Sequence, residues 1–148
     1  MKSPLFLCAA SALLAGGCSD IPDDTRGTLD RVKSERQFRV GVIASPGGVA
    51  APNRALVARV AAATGARPRL EADAAEPLLV RLGEGDLDLV VGEFERKGPW
   101  SSHVHMLPSL ASRRVANREV ATGAAAANGE NRWIMLVDRE ARALGGKP

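Results

Sequence analysis

Apolar positions along the chain switch between two periods. At residues 37–43 (QFRVGVI), Phe38, Val40 and Val42 alternate with Arg39 and Gly41, the two-residue period of a strand. At residues 52–64 (PNRALVARVAAAT), Leu56, Val57, Val60 and Ala63 recur every three or four positions, with Arg54 and Arg59 elsewhere. That spacing predicts an amphipathic helix, with Pro52 in its first turn and Gly65 as its C-terminal cap. Residues 67–72 predict a second short strand, edge-like because Pro68 cannot donate to a ladder. Asp73, Ala74, Ala75 and Glu76 have the spacing of a capping box, and Leu78, Leu79 and Leu82 carry a helix onward to Gly83-Glu84-Gly85. Asp86 opens a turn. Leu87, Leu89, Val90 and Val91 then make an apolar strand that Gly92 ends, and Glu93, Glu95, Arg96 and Lys97 crowd charge at its carboxyl end. Ahead of all this, Thr28 caps a short helix with Leu29 and Val32 on one face.

Helix, strand, helix, strand, helix, strand is the order of right-handed βαβ units and a parallel sheet. After Trp100 the pattern loosens. Residues 101–110 (SSHVHMLPSL) read as one strand and residues 114–126 as a weak second one. Residues 132–144 read as a closing helix on the sheet, with Trp133, Ile134, Val137, Ala141 and Leu144 as its apolar stripe. The predicted fold is α/β, a small mainly parallel sheet flanked by helices. In an open sheet of this kind, ligand crevices lie beyond the carboxyl ends of strands. That places Glu93 at a candidate crevice edge.

The start of the chain has a different character. Lys2 precedes an apolar run at residues 5–14 (LFLCAASALL), too short to span a bilayer as a helix. Residues 1–17 therefore read as a targeting segment. Ala15-Gly16-Gly17-Cys18 resembles a bacterial lipoprotein cleavage site, although Leu14 stands four residues before the cysteine rather than three. That resemblance implies Cys18 as the acylated N-terminus, holding the protein on the periplasmic face of a bacterial membrane. Ser19 favours the outer membrane. An ordinary secretory peptide with an incidental cysteine is the other reading. Residues 18–27 read as a polar tether and residues 28–148 as one domain of about 120 residues, enough for a single small core. Both cysteines, Cys8 and Cys18, lie before that domain, so no disulfide is expected in it.

Residues 28–43 (TLDRVKSERQFRVGVI) and 83–100 (GEGDLDLVVGEFERKGPW) together resemble the amino-acid-binding type of periplasmic solute-binding protein, family 3. In that family a short helix leads into the first strand, and a G-x-x-D-L pattern leads through a strand to ligand contacts. The resemblance implies one lobe of a two-lobed binding protein, a small solute such as an amino acid, and an ABC transporter permease or other membrane partner. It implies a ligand contact at Ser45, the only side-chain hydrogen-bonder of residues 44–48. Glu93 is another contact. Trp100 reads either as a pocket wall or, in a domain with so few aromatics to pack, as a core residue. Arg96 is implied either as the guanidinium that pairs with an α-carboxylate in bidentate geometry or as a different family arginine with a structural role. The hydroxyl residue that usually accompanies that arginine is replaced by Glu93-Phe94-Glu95. Family proteins cross to a second lobe and return, whereas this chain is about half their length. Two functions follow: a lipid-anchored, non-catalytic solute-binding protein, or an interaction lipoprotein that kept the lobe without ligand capture.

Composition narrows the rest. The formal charge of +3 comes from 20 basic and 17 acidic side chains dispersed along the chain, with 3% aromatics and no tyrosine. A nucleic-acid surface needs a basic stripe or stacking platforms, and neither is present. Pro46-Gly47-Gly48 lacks the glycine pattern of a phosphate loop and reads as a connection. No G-x-S-x-G or Cys/His arrangement supports nucleophilic catalysis, so no enzyme is expected. His103 and His105 at i, i+2 spacing would share a strand face. With no cysteine ligand and no H-E-x-x-H beside them, they read as surface histidines, and no metal or cofactor is expected. The acid pairs Asp86/Asp88 and Glu93/Glu95 read as solvated charge.

Overall fold

A computed structural model describes residues 24–95 and 99–145. The elements are α1 (Thr28–Glu35), β1 (Gln37–Ile43), α2 (Ala51–Thr64), β2 (Arg67–Asp73), α3 (Ala75–Glu84) and β3 (Leu89–Glu95). After a 3-10 turn at Pro99–Ser102 come β4 (Val104–Met106), β5 (Ala111–Val115), β6 (Arg118–Ala127) and α4 (Asn131–Ala143). They form one six-stranded sheet in the order β2-β1-β3-β6-β4, with β5 also paired to β6. β1 is parallel to β2 and to β3, while β6 is antiparallel to β3, β4 and β5. Every strand but β6 therefore points the same way, and the expected mainly parallel α/β sheet is what forms.

The two faces have separate cores. On one, Phe38, Val40, Val42, Leu89, Val91, Ala124 and Ala126 meet Leu56, Val57 and Val60 of α2, Leu29 and Val32 of α1, and Trp133, Val137 and Ala141 of α4. On the other, Leu78, Leu79 and Leu82 of α3 cover Val90, Phe94, Val104 and Ala125. The odd and even positions of each strand supply opposite faces, so helix and strand periods meet in both layers. Each fully buried leucine or valine contributes about 1.5–3 kcal/mol. Alanines fill β6 from Ala124 to Ala127, which lets Trp133 pack edge-on to Phe38 at 5.9 Å.

Several expectations need correction. Gly92 does not end β3, which runs on to Glu95 because β6 pairs with it as far as Glu95↔Val120. Leu87 precedes that strand and is buried in the turn before it. Residues 101–110 are not one strand: the 3-10 turn holds Ser102, β4 spans only Val104–Met106, and Leu107 and Leu110 N–H then donate to Ala124 O and Thr122 O of β6 at 2.9 Å each. Residues 114–126 are not a single strand either. The chain turns back at Ala116-Asn117, making a β5–β6 hairpin that closes on Val115↔Arg118. Neither sequence-predicted side-chain cap forms. Asp73 accepts from Ala74 N at 2.7 Å instead of capping α3, and Thr28 is already inside α1. In α4, Leu136 replaces Leu144 in the buried stripe, and Leu144 is exposed beyond the helix end.

α1 is capped from a distance. Asp24 Oδ2 accepts from Leu29 N at 2.8 Å, and the two oxygens of Glu130 accept from Arg26 N and Thr28 N at 2.8 and 3.1 Å. Both carboxylates are buried, and they neutralise helix N-termini that the local sequence leaves open.

Candidate functional site

β1 is followed by a crossover to β2 on one side of it, and β2 by a crossover to β3 on the other. The strand order thus reverses between β1 and β3, and open sheets present their ligand crevice at such a point. The two strands pair only as far as Val42↔Val91. Beyond that rung Ile43 lies so close to Gly92 that a Cβ there would come within 2.5 Å of the Ile43 Cβ. Glycine is what allows the strands to run side by side up to their ends.

The first turn of α2 meets this end of the sheet. Asn53 is buried, and its Nδ2 donates to Gly92 O at 3.3 Å. Its Oδ1 is equally buried and is the one buried side-chain polar atom without a partner among the described residues. A buried unpaired amide oxygen costs about 1–3 kcal/mol, so it marks a place where a donor is missing. Asn53 also lines a crevice of about 40 Å³, together with Val42, Ile43, Ser45, Gly48, Val49, Ala50, Val91, Gly92 and Glu93. Two residues expected at the site from sequence, Ser45 and Glu93, are therefore brought together there. Gly48 N donates to Ser45 O at 2.9 Å, and Gly48 has φ of 68°, so the connection is a tight turn with exposed backbone.

Glu93 is not a free carboxylate. Arg113 of β5 clamps it with two parallel bonds, Nε to Oε1 at 3.0 Å and Nη2 to Oε2 at 2.8 Å. These bonds hold the Glu93 carboxyl below the usual range, outweighing partial burial, which acts the other way. Arg118 likewise pairs with Glu95 at 2.8 Å. Asp88, expected as solvated charge, is instead buried, accepting from Arg39 N at 2.7 Å, Arg39 Nη2 at 2.6 Å and Arg31 Nη2. Asp86 stays exposed.

Trp100 is not among the residues that line the crevice. It is half-buried against the α3-side core and meets the His103 ring edge-on at 5.9 Å. Arg96 and Cys18 lie outside the described residues. His103 falls in the turn before β4, with Nδ1 3.0 Å from Ser102 Oγ, so the two histidines do not share one strand. Among the described residues no three His, Cys, Asp or Glu side chains gather as a metal site requires, and no helix is long and apolar enough to cross a membrane. Asn53 was missed in the sequence because an asparagine inside a helical pattern carries no signal of what its side chain faces.

A larger cleft of about 600 Å³ lies along the outer side of β6, lined in part by Phe94, Met106, Pro108, Asp138 and Arg142. It adjoins the connection from β4 to β5, whose Leu107 and Leu110 N–H groups donate to Ala124 O and Thr122 O of β6. Its charged pair is already closed, Arg142 Nε on Asp138 Oδ2 at 2.7 Å, which also raises the Arg142 pKa. The smaller crevice has the unpaired polar atom and the strand-end geometry, and it is the candidate site.

A sheet in the order 2-1-3 with a return strand antiparallel to β3, helices on both faces and a crevice at the β1/β3 ends has the fold of a single lobe of a periplasmic binding protein. Solved structures agree. The arginine-bound form of domain 1 from TmArgBP superposes with a TM-score of 0.65 at 15% identity, over 77% of this chain and 98% of that one. A point mutant of the same arginine-bound domain reaches 0.67 at 15% identity, over 79% and 98%. An ancestral cationic amino acid solute-binding protein, AncCDT-1, gives 0.65 at 10% identity, over 80% and 93%. No family model matches the sequence, and no curated protein matches it.

Proposed function

We propose that this chain is a non-catalytic solute-binding lobe that takes an amino-acid-like solute at the carboxyl ends of β1 and β3. The observation that carries this reading is Asn53, which lines the switch-point crevice and whose buried Oδ1 has no partner. A solute ammonium or amide N–H that reached the Asn53 amide oxygen would satisfy it, the exposed residues Ser45 and Gly47 offer backbone N–H groups to a carboxylate, and Glu93 stands at the rim. Glu93 already holds a guanidinium, that of Arg113, in the bidentate form a cationic side chain would use. Cationic amino acids therefore head the list of solutes. The crevice is far smaller than the 300–1,000 Å³ or so of an enclosing ligand pocket. A single lobe that leaves its solute half-exposed binds weakly, yet the arginine-bound domain 1 of TmArgBP is a lone lobe of this fold with arginine on it. We place the protein on the periplasmic face of a membrane, anchored through Cys18, presenting its solute to a permease or a sensor.

Thermal unfolding of the full chain against a panel of amino acids tests this. A solute at a hundred times its dissociation constant adds about 2.7 kcal/mol, a shift of several degrees. The expected result is a shift with arginine or lysine that Asn53→Ala and Glu93→Gln each reduce. A panel in which no amino acid moves the transition sinks the proposal.

The second reading, an interaction lipoprotein without solute capture, is favoured by one feature. The clamp of Arg113 on Glu93 fills the rim from within, and it exists only because the chain turns back at Ala116 instead of continuing outward. The two readings part on Arg113→Ala, which frees Glu93: improved binding of a cationic solute supports capture, and no binding in either form supports the interaction protein.

A further inference from the structure

β2 is one edge of the sheet, the other being formed by β4 and β5, and its sequence reads Arg67-Pro68-Arg69-Leu70-Glu71-Ala72-Asp73. Two cations precede Leu70 and two anions follow it at mirror positions. A strand with that pattern is complementary to itself when run antiparallel. We infer that β2 pairs with β2 of a second copy of this chain, about a two-fold axis at Leu70, joining two sheets into one.

The backbone supports this register. Arg67 N donates to Arg36 O at 2.9 Å, and Asp73 O accepts from Ala44 N at 2.9 Å, so the odd positions of β2 face β1. The N–H and C=O groups of Pro68, Leu70 and Ala72 therefore point outward, since successive residues of a strand bond to opposite sides. Among the described residues nothing covers them, and every β2 residue but the half-buried Pro68 is exposed. Proline has no N–H, and here the missing donor is on the outer side, where it costs β1 nothing. With Leu70 opposite Leu70 of the second copy, those two residues exchange both of their hydrogen bonds. Ala72 N–H of each copy then donates to Pro68 O of the other. No outward donor of β2 is left over, and the register fits the proline.

The side chains agree with the backbone. Arg69 falls opposite Glu71 of the second copy and Arg67 opposite Asp73, at the non-hydrogen-bonded positions where cross-strand side chains come closest. Within one chain Glu71 pairs with Arg81, whereas neither Arg67 nor Arg69 makes an ion pair among the described residues. On the other face Leu70, 59% exposed and the most exposed large apolar side chain among the described residues, meets its own symmetry mate. A shift of one residue would lose the charge pairing and the central leucine contact together. The contact is isologous, so it closes at two copies and removes the edge as a template for further addition. The strands run antiparallel across the axis, so the two β1/β3 crevices open at opposite ends of the joined sheet. This pairing is separate from solute binding.

Sedimentation of the full chain in a non-ionic detergent, with Cys18→Ser, tests it. A reversible dimer is expected by about 100 µM. Arg69→Glu sets carboxylate against carboxylate at Glu71 twice per interface, and Glu71→Arg sets guanidinium against guanidinium at Arg69. Each change should weaken the dimer by roughly tenfold or more while leaving a folded monomer. An equimolar mixture of the two variants should dimerise again, because Arg69→Glu in one copy then faces Glu71→Arg in the other. Hydrogen exchange gives an independent readout: Leu70 and Ala72 amides slow with concentration, and the Arg69 amide does not. A chain that stays monomeric at that concentration overturns the proposal. So does a dimer that neither reversal weakens, or one that mixing fails to restore.

Discussion

Asp24 and Trp133 stand 109 residues apart, and the Asp24 carboxylate accepts the Trp133 backbone N–H at 3.1 Å while its second oxygen holds Leu29 N at 2.8 Å. One side chain thus caps α1 and α4 together. Glu130 works in the other direction, from the start of α4 onto Arg26 and Thr28. The first and last helices are fixed to each other through their N-termini, where negative charge is favourable. Asp24→Ala strands two donors in a buried position. A loss of about 2–3 kcal/mol is expected, read as a lower urea midpoint with unchanged slope. Asp24→Asn, which keeps one acceptor, should lose about half of that.

Asp88 joins the same region from the sheet side. Its backbone oxygen accepts from Trp133 Nε1 at 2.7 Å, and its carboxylate holds Arg39 and Arg31. The bonds from Asp88 raise the Arg39 pKa, working against burial. Asp88→Ala leaves two half-buried guanidinium groups without their partner and should cost about 3 kcal/mol or more. The effect should persist in high salt, because the Asp88 carboxylate is shielded from solvent. A drop below about 1 kcal/mol would show that the arginines re-pair with water at little cost.

Gly92 and Gly41 both sit on strands against neighbouring side chains, with different consequences. A Cβ at Gly92 meets the Ile43 Cβ at 2.5 Å, an atom fixed to backbone. At Gly41 it meets the tips of Leu78 and Leu87 at 2.9 Å, which can turn aside. Gly92→Ala should therefore destabilise by about 2–3 kcal/mol and Gly41→Ala by less, compared by thermal unfolding. Only Gly92→Ala should also disturb the crevice, since Gly92 O holds Asn53.

Ala116 has φ of 51° at the turn between β5 and β6, a left-handed backbone that costs a residue with a Cβ about 1–2 kcal/mol. Ala116→Gly should stabilise the chain by about 0.5–1 kcal/mol, since glycine enters that region freely but loses more freedom on folding. A lower denaturation midpoint in that variant would mean that the turn carries no strain.

The Glu93–Arg113 clamp has a definite pH sign. The folded carboxyl titrates below its ordinary value, so the clamp stabilises fully above the ordinary carboxylate range and is lost as pH falls through the folded pKa. Carbon-detected NMR of Glu93 should show the depressed titration, and Arg113→Ala should move it back up to the ordinary carboxylate range or above. An unchanged titration in that variant would exclude the clamp as the cause.

The chain's local patterning was enough for the first half of the fold. Period-two alternation at Phe38, Val40 and Val42 and three-four spacing at Leu56, Val57 and Val60 place β1 and α2 to within a residue or so, because each element's buried face is written in its own sequence. Their alternation also implies the parallel sheet and a crevice at its strand ends with Glu93 beside it, whereas Ser45 is implied only by the resemblance to solute-binding proteins. What tertiary structure alone decided is everything that depends on partners far along the chain. β3 extends past Gly92 because β6 pairs with it, and β6 itself, rich in alanine and glycine, has too little local preference to announce a long central strand. Asp24 and Glu130 cap a helix 5 and 102 residues away from the groups they bind. Asp88 and Asp86 are two positions apart and look alike in sequence, yet one is buried between arginines and the other is exposed. Hydrophobic period is a property of neighbours in sequence, whereas a polar group's fate depends on which distant donors reach it, and only the folded chain brings those together.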